Sequence, residues 1–165
     1  MKQSSLSRRS FIYAVGATGT TTLVAGCLED DEDDTPETVD APSDVDGHLE
    51  GANLYYGGLI ERTDDEEVLV DVGAGENGQA FDPSAILIRP GTTVVWEWQI
   101  RGGLHDVIEE NDEFDSSPRA IERDPFEHTF DEEGVYLYYC SMHGGNGMRG
   151  AVVVREEEEE DSVNN

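Results

Sequence analysis

Residues 135–154, VYLYYCSMHGGNGMRGAVVV, hold the feature that most restricts what this chain can fold into. Two runs of β-branched and aromatic residues, which favour strands, flank a short loop. Gly144, Gly145 and Gly147 free the backbone there. A strand–loop–strand unit of this kind brings Cys140, His143 and Met148 close together, at the spacing Cys-x2-His-x4-Met. Taken singly, each has a plain role. A cysteine is a small buried hydrophobe and a methionine fills core gaps; a histidine sits on the surface or in a hydrogen bond. Together on one loop, a thiolate, an imidazole and a thioether make a soft donor set, which suits copper and disfavours magnesium or calcium. One further imidazole completes a trigonal site of two nitrogens and one sulfur, with the thioether as a weak axial ligand. His105, in GGLHDV between strand-like runs, is the candidate.

The surrounding pattern is that of an all-β domain. Residues 50–155 are enough for one core. Strand-like pieces recur at 68–72, 86–88, 93–100, 105–108, 126–130, 135–140 and 150–154, separated by turn signals such as Arg89-Pro90-Gly91 and Arg101-Gly102-Gly103. Period two places Val94, Trp96 and Trp98 on an inner face, and Val95, Glu97 and Gln99 on an outer one. In the later strand, Tyr136 and Tyr138 share the inner face with Cys140, and Tyr139 faces outward. The stretch 109–125 reads as a polar loop anchored by Phe114. His48 is expected at the surface beside a linker, and His128 packs or hydrogen-bonds within a strand.

On His105 and the Cys140–Met148 loop, the chain resembles the small blue (type 1) copper proteins, the cupredoxins, closest to the halocyanin and plastocyanin group. The resemblance covers residues 55–154. It implies an eight-stranded Greek-key β-sandwich holding one copper ion, with His105, Cys140 and His143 in the plane and Met148 axial. It also implies single-electron transfer by Cu(I)/Cu(II) cycling, and no catalysis. Two positions depart from the family pattern. Asp106 stands where an asparagine commonly follows the first histidine, and an ionised carboxylate cannot donate the hydrogen bond that ties the ligand loops. Met142 stands where proline commonly precedes the second histidine, so a backbone N–H is available to the Cys140 sulfur. Tyr139, next to Cys140, is a candidate lateral electron port, and the edge of His143 is the short route to a partner. With only His48 and His128 to spare, a catalytic copper centre is disfavoured. The rival reading is a copper-binding or storage module without redox turnover.

Outside the domain, three segments stand apart. Residues 1–26 read as an export signal: Arg8-Arg9 resembles a twin-arginine motif, and Leu23 to Cys27 resembles a lipobox, in which Cys27 carries lipid. Residues 27–49, with the acidic run 29–34, are expected to be a disordered linker, and 156–165 an acidic tail. The two cysteines, Cys27 and Cys140, make no disulfide framework. The chain carries 38 acidic and 10 basic residues, for a net charge of −28. The signal holds three of the cations and no acid, so the rest stands at about −31, without a lysine. That balance excludes nucleic acid as a partner and fits the acidic surface that halophilic proteins use for solubility. The expected protein is a monomer, exported and anchored on the outer face of the cell membrane, exchanging electrons with membrane-associated redox proteins.

Overall fold

Alternating burial along its strands shapes this chain. The computed structural model describes residues 35–99, 103–120 and 124–156. Arg8, Arg9, Cys27, the acidic run 29–34 and the tail beyond residue 156 lie outside them. In β2 (Glu67–Ala74), Val68, Val70 and Val72 are buried while Glu67 and Leu69 are exposed. In β5 (Thr92–Trp98), Val94 and Trp96 turn inward and Glu97 outward. These two strands pair in parallel, Val70 opposite Trp96. β3 (Ala80–Asp82) joins the other edge of β2, and β7 (Phe126–Phe130) lies antiparallel to β5, giving a four-stranded sheet.

The second sheet runs in the order β1 (Ile60–Glu61), β4 (Ala85–Ile88), β9 (Arg149–Val154), β8 (Gly134–Tyr139), β6 (Ile108–Glu109). β8 and β9 are antiparallel, with Tyr138 opposite Gly150. A Cβ on Gly150 would stand 2.2 Å from the Tyr138 ring, so only glycine admits that ring. The two sheets face each other as a β-sandwich. Their inward side chains form one core, including Val70, Trp96, Ile86, Ile88, Tyr138, Val152 and Met148. Trp96 lies at its centre, 5.3–6.4 Å from the rings of Phe114, Phe126, Phe130 and Tyr138. The Phe114 anchor is present, and Tyr136 and Tyr138 pack with this core.

The structure differs from the sequence expectation at several points, beginning with β1, β3 and Glu109, which is buried in β6 where a polar loop was expected. The expected disordered linker does not extend to residue 49: Ser43–Leu49 forms a helix, α1. Val45 and Leu49, four residues apart and hence on one helical face, are fully buried against Leu59, Leu87, Ala151 and Val153. The outer surface of the five-stranded sheet is apolar in that region, and α1 covers it. Asp44 and Asp46 in the first turn suit the positive end of the helix dipole. His48 is correspondingly not at the surface. Its side chain is 8% exposed, with Nδ1 3.1 Å from Glu110 and Nε2 3.0 Å from the Tyr138 carbonyl. Val95, expected on the outer face, is buried. The piece at 105–108 is a strand only from Ile108; His105 instead makes an isolated bridge to Arg119.

Candidate metal centre

The loop after β8 folds back on its own backbone. The Cys140 carbonyl accepts from the N–H groups of His143 (3.3 Å) and Gly144 (2.7 Å). Gly144–Asn146 is one turn of 3-10 helix, closed by Gly147 at φ 92. Met148 N–H donates to the His143 carbonyl and Cys140 N–H to the Met148 carbonyl, both at 3.1 Å. Asn53 braces the loop from outside, donating through its amide side chain to the Asn146 carbonyl and through its backbone N–H to the Gly147 carbonyl. Cys140 and Met148 are fully buried, whereas His143 keeps part of its surface in solvent.

His105 reaches the same point from a separate segment, between β5 and β6, and is fully buried. Its Nδ1 lies 3.7 Å from Cys140 Sγ and 3.1 Å from His143 Nδ1; the Cys140 Sγ to His143 Nδ1 distance is 3.6 Å. The point equidistant from these three atoms is about 2.0 Å from each, the length of a metal–imidazole bond and about 0.3 Å less than a metal–thiolate bond. Two imidazole nitrogens and a sulfur around one such point, with a buried thioether on the same loop, fit copper by both size and softness. Among the described residues no other group of three or more His, Cys, Asp or Glu side chains converges in this way. His48 and His128 lie apart; the His128 ring packs on Phe114 and Phe130.

The residues flanking these donors tie the two segments together. Asp106 is 1% exposed. Its carboxylate accepts from Ser141 N–H (2.6 Å) and from the Ser141 hydroxyl (2.5 Å). The inter-loop tie is therefore present, with the Asp106 carboxylate accepting both hydrogen bonds from Ser141. Burial pushes the Cys140 thiol above its ordinary range. The backbone N–H groups of Asp106, Met142 and His143 counter that rise, and the Asp106 charge adds to it. The Met142 backbone thus acts on the sulfur, while the residue is 41% exposed. Tyr139 is half-buried and packs along Gly144, where a Cβ would meet its side chain at 3.4 Å.

Ser141, Asn53, Trp98 and Arg119 are the residues around the site that the sequence did not single out for it. The Trp98 indole N–H donates to the His105 carbonyl (3.2 Å), and Arg119 pairs with His105 through both backbone groups, at 2.9 and 2.7 Å. Only Ser141 carried a signal, as a hydroxyl directly after the cysteine.

Residues 68–155 match the family of copper binding proteins, plastocyanin/azurin family. The chain is 42% identical to halocyanin from Natronomonas pharaonis over 164 residues, 90% of this chain and 98% of that protein. It is 30% identical to plastocyanin from Scenedesmus fuscus over 99 residues, 54% of this chain and all of that one. Among solved structures, a purple cupredoxin from Nitrosopumilus maritimus shares 31% identity at a TM-score of 0.44, covering 53% of this chain and 99% of its own.

Proposed function

Because this chain belongs to the plastocyanin/azurin family of copper-binding proteins, we propose that it is a blue copper electron carrier with His105, Cys140, His143 and Met148 as its ligands. The observation that carries this reading is the convergence of three donor atoms, 3.1–3.7 Å apart, from two separate segments of the chain. Copper, when bound, supplies the one-electron redox change. The chain supplies a ligand set held by backbone hydrogen bonds and buried among apolar side chains, so that little has to move between the two charge states. The thiolate suits Cu(II), while the thioether and the scarcity of water favour Cu(I).

His143, half-buried at the end of the sandwich, is the short route for the electron, and Tyr139 is a lateral one. Leu104 and Met142, 48% and 41% exposed, sit beside His105 and His143 in sequence. Residues 140–148 carry no Asp, Glu, Lys or Arg. In a chain of net charge −28, an uncharged apolar rim at this end suits docking to membrane-associated redox proteins. The leader-like Arg8-Arg9 and the lipobox-like run to Cys27 support export, with lipid on Cys27 holding the domain at the outer membrane face. More than one acyl chain is needed for firm anchoring. Mass spectrometry of the mature N-terminus tests that anchor; an unmodified Cys27 contradicts it.

A redox titration of the copper-loaded protein tests the carrier function. Reversible one-electron bleaching, with copper retained over repeated cycles, is the expected result. Release of copper on reduction would support the storage module instead.

A further inference from the structure

We propose that Arg119, acting with Trp98, is a positioning residue that sets the place of the His105 imidazole. The inference rests on His105 being a copper ligand. His105 has no compact loop of its own to fix it, unlike Cys140, His143 and Met148. Its backbone is gripped on both sides by Arg119: His105 N–H donates to the Arg119 carbonyl (2.9 Å) and Arg119 N–H donates to the His105 carbonyl (2.7 Å). The same His105 carbonyl takes a second hydrogen bond, from the Trp98 indole N–H at 3.2 Å.

The Arg119 side chain completes the brace. Its guanidinium lies 5.4 Å from the Trp98 ring centroid and 5.5 Å from that of Phe126, within cation–π range of both. Its Nε donates to the Ser116 carbonyl (2.9 Å) and its Nη1 to the Asp124 carbonyl (3.0 Å). Arg119 thus pins the backbone on both sides of itself while holding the indole that reaches His105. The ion pairs among the described residues involve other cations: Arg62 with Asp65, Arg89 with Asp64, and His48 with Glu110. In a chain with 38 acidic residues, Arg119 is spent on two carbonyls and two ring faces. That use needs a planar, multidentate cation, which lysine cannot imitate. Ser116 extends the hold one step further: its hydroxyl accepts from Val107 N–H, and its own N–H donates to the Val107 carbonyl.

Arg119→Met and Trp98→Phe test the inference; the second keeps an aromatic face for the cation and removes the indole N–H. In metal-free protein, hydrogen exchange at the His105 amide should quicken about fivefold in each variant, the effect of losing one typical net hydrogen bond. The amides of Val152 and Val153 in the core strand should not change. With copper, affinity should fall about tenfold, as is usual when a partner of a ligand is removed, and the blue band should shift. Arg119→Lys, which keeps the charge without the fork, should resemble Arg119→Met. Unchanged exchange at His105 overturns the inference, as does a Val152 amide that loosens equally, or full recovery by lysine. If the wild-type protein forms no blue complex, the copper reading fails, while the metal-free exchange experiment still judges the brace.

Discussion

Two segments meet at the donor cluster, and they differ in compactness and in charge. Residues 140–148 turn within nine positions, close on their own backbone and carry no Asp, Glu, Lys or Arg. Residues 103–120 hold one donor, His105, in a stretch with six carboxylates between Asp106 and Asp115. Its hydrogen bonds reach Trp98, Leu137, Ser141 and Asp124. The first segment is a local device whose sequence spacing largely determines its geometry. The second closes on its own backbone more widely, through His105 with Arg119 and Val107 with Ser116, and takes further bonds from Trp98 and Ser141. The site thus joins a tight turn to a wider loop, and each is braced from outside, the first by Asn53 and the second by Trp98 and Ser141.

Removing the anchor of the local half gives the largest effect. Cys140→Ser should abolish the blue colour of the copper(II) protein completely, because the charge-transfer band needs the thiolate. Visible absorption decides it, and any residual intense band would move the sulfur ligand elsewhere.

A smaller effect compares backbone strain in the two segments. Gly147 and Gly103 both have positive φ, 92 and 77. A Cβ at Gly147 would stand 2.9 Å from the Gly51 carbonyl oxygen and 3.1 Å from the Asn53 amide nitrogen; at Gly103 it would meet nothing within 4 Å. Gly147→Ala should therefore cost about 2–3 kcal/mol and Gly103→Ala about 1 kcal/mol. Thermal unfolding of the metal-free variants measures both, and equal losses would mean the first loop is not tightly held.

The tie between the halves comes next. An anionic Asp106 favours Cu(II), so Asp106→Asn should raise the reduction potential; charges about 8 Å apart at an effective dielectric near 20 interact by about 2 kcal/mol. Asp106 is 1% exposed, so the shift should persist in molar salt. Met142→Pro removes an N–H that acts on the Cys140 sulfur and should lower the potential by less. Voltammetry of both variants tests the pair; a lower potential in Asp106→Asn would break the assigned polarity.

The smallest expected effect is local. At molar salt the Debye length is about 3 Å, which screens repulsion among exposed carboxylates. The unfolding midpoint should rise with salt throughout. Beyond that, amide protection should grow more across 106–115 than across 140–148. Equal gains would show that charge does not distinguish the segments.

The contrast also explains what could be read from the chain alone. The Cys-x2-His-x4-Met loop, the inward Val94 and Trp96, the buried Tyr138 and the Phe114 anchor rest on spacing and on period two, which are properties of neighbouring residues. The strand Phe126–Phe130 was legible for the same reason. α1 was hidden because only Val45 and Leu49 mark its buried face within an acidic stretch, and the apolar surface they cover comes from β4 and β9. His48 follows α1 into burial. The Asp106–Ser141 tie, the parallel pairing of β2 with β5 and the approach of Trp98 and Arg119 to His105 depend on contacts between residues that are not neighbours in sequence. A one-dimensional pattern does not encode such partners.

Copper K-edge X-ray absorption on the loaded protein tests the ligand set itself, because it counts donors by element and distance. One short copper–sulfur bond and two copper–nitrogen bonds at about 2.0 Å are expected, with imidazole scattering from both His105 and His143. The His105→Gly variant should lose one imidazole and keep the sulfur. A shell of nitrogen and oxygen alone, without short sulfur, would contradict it.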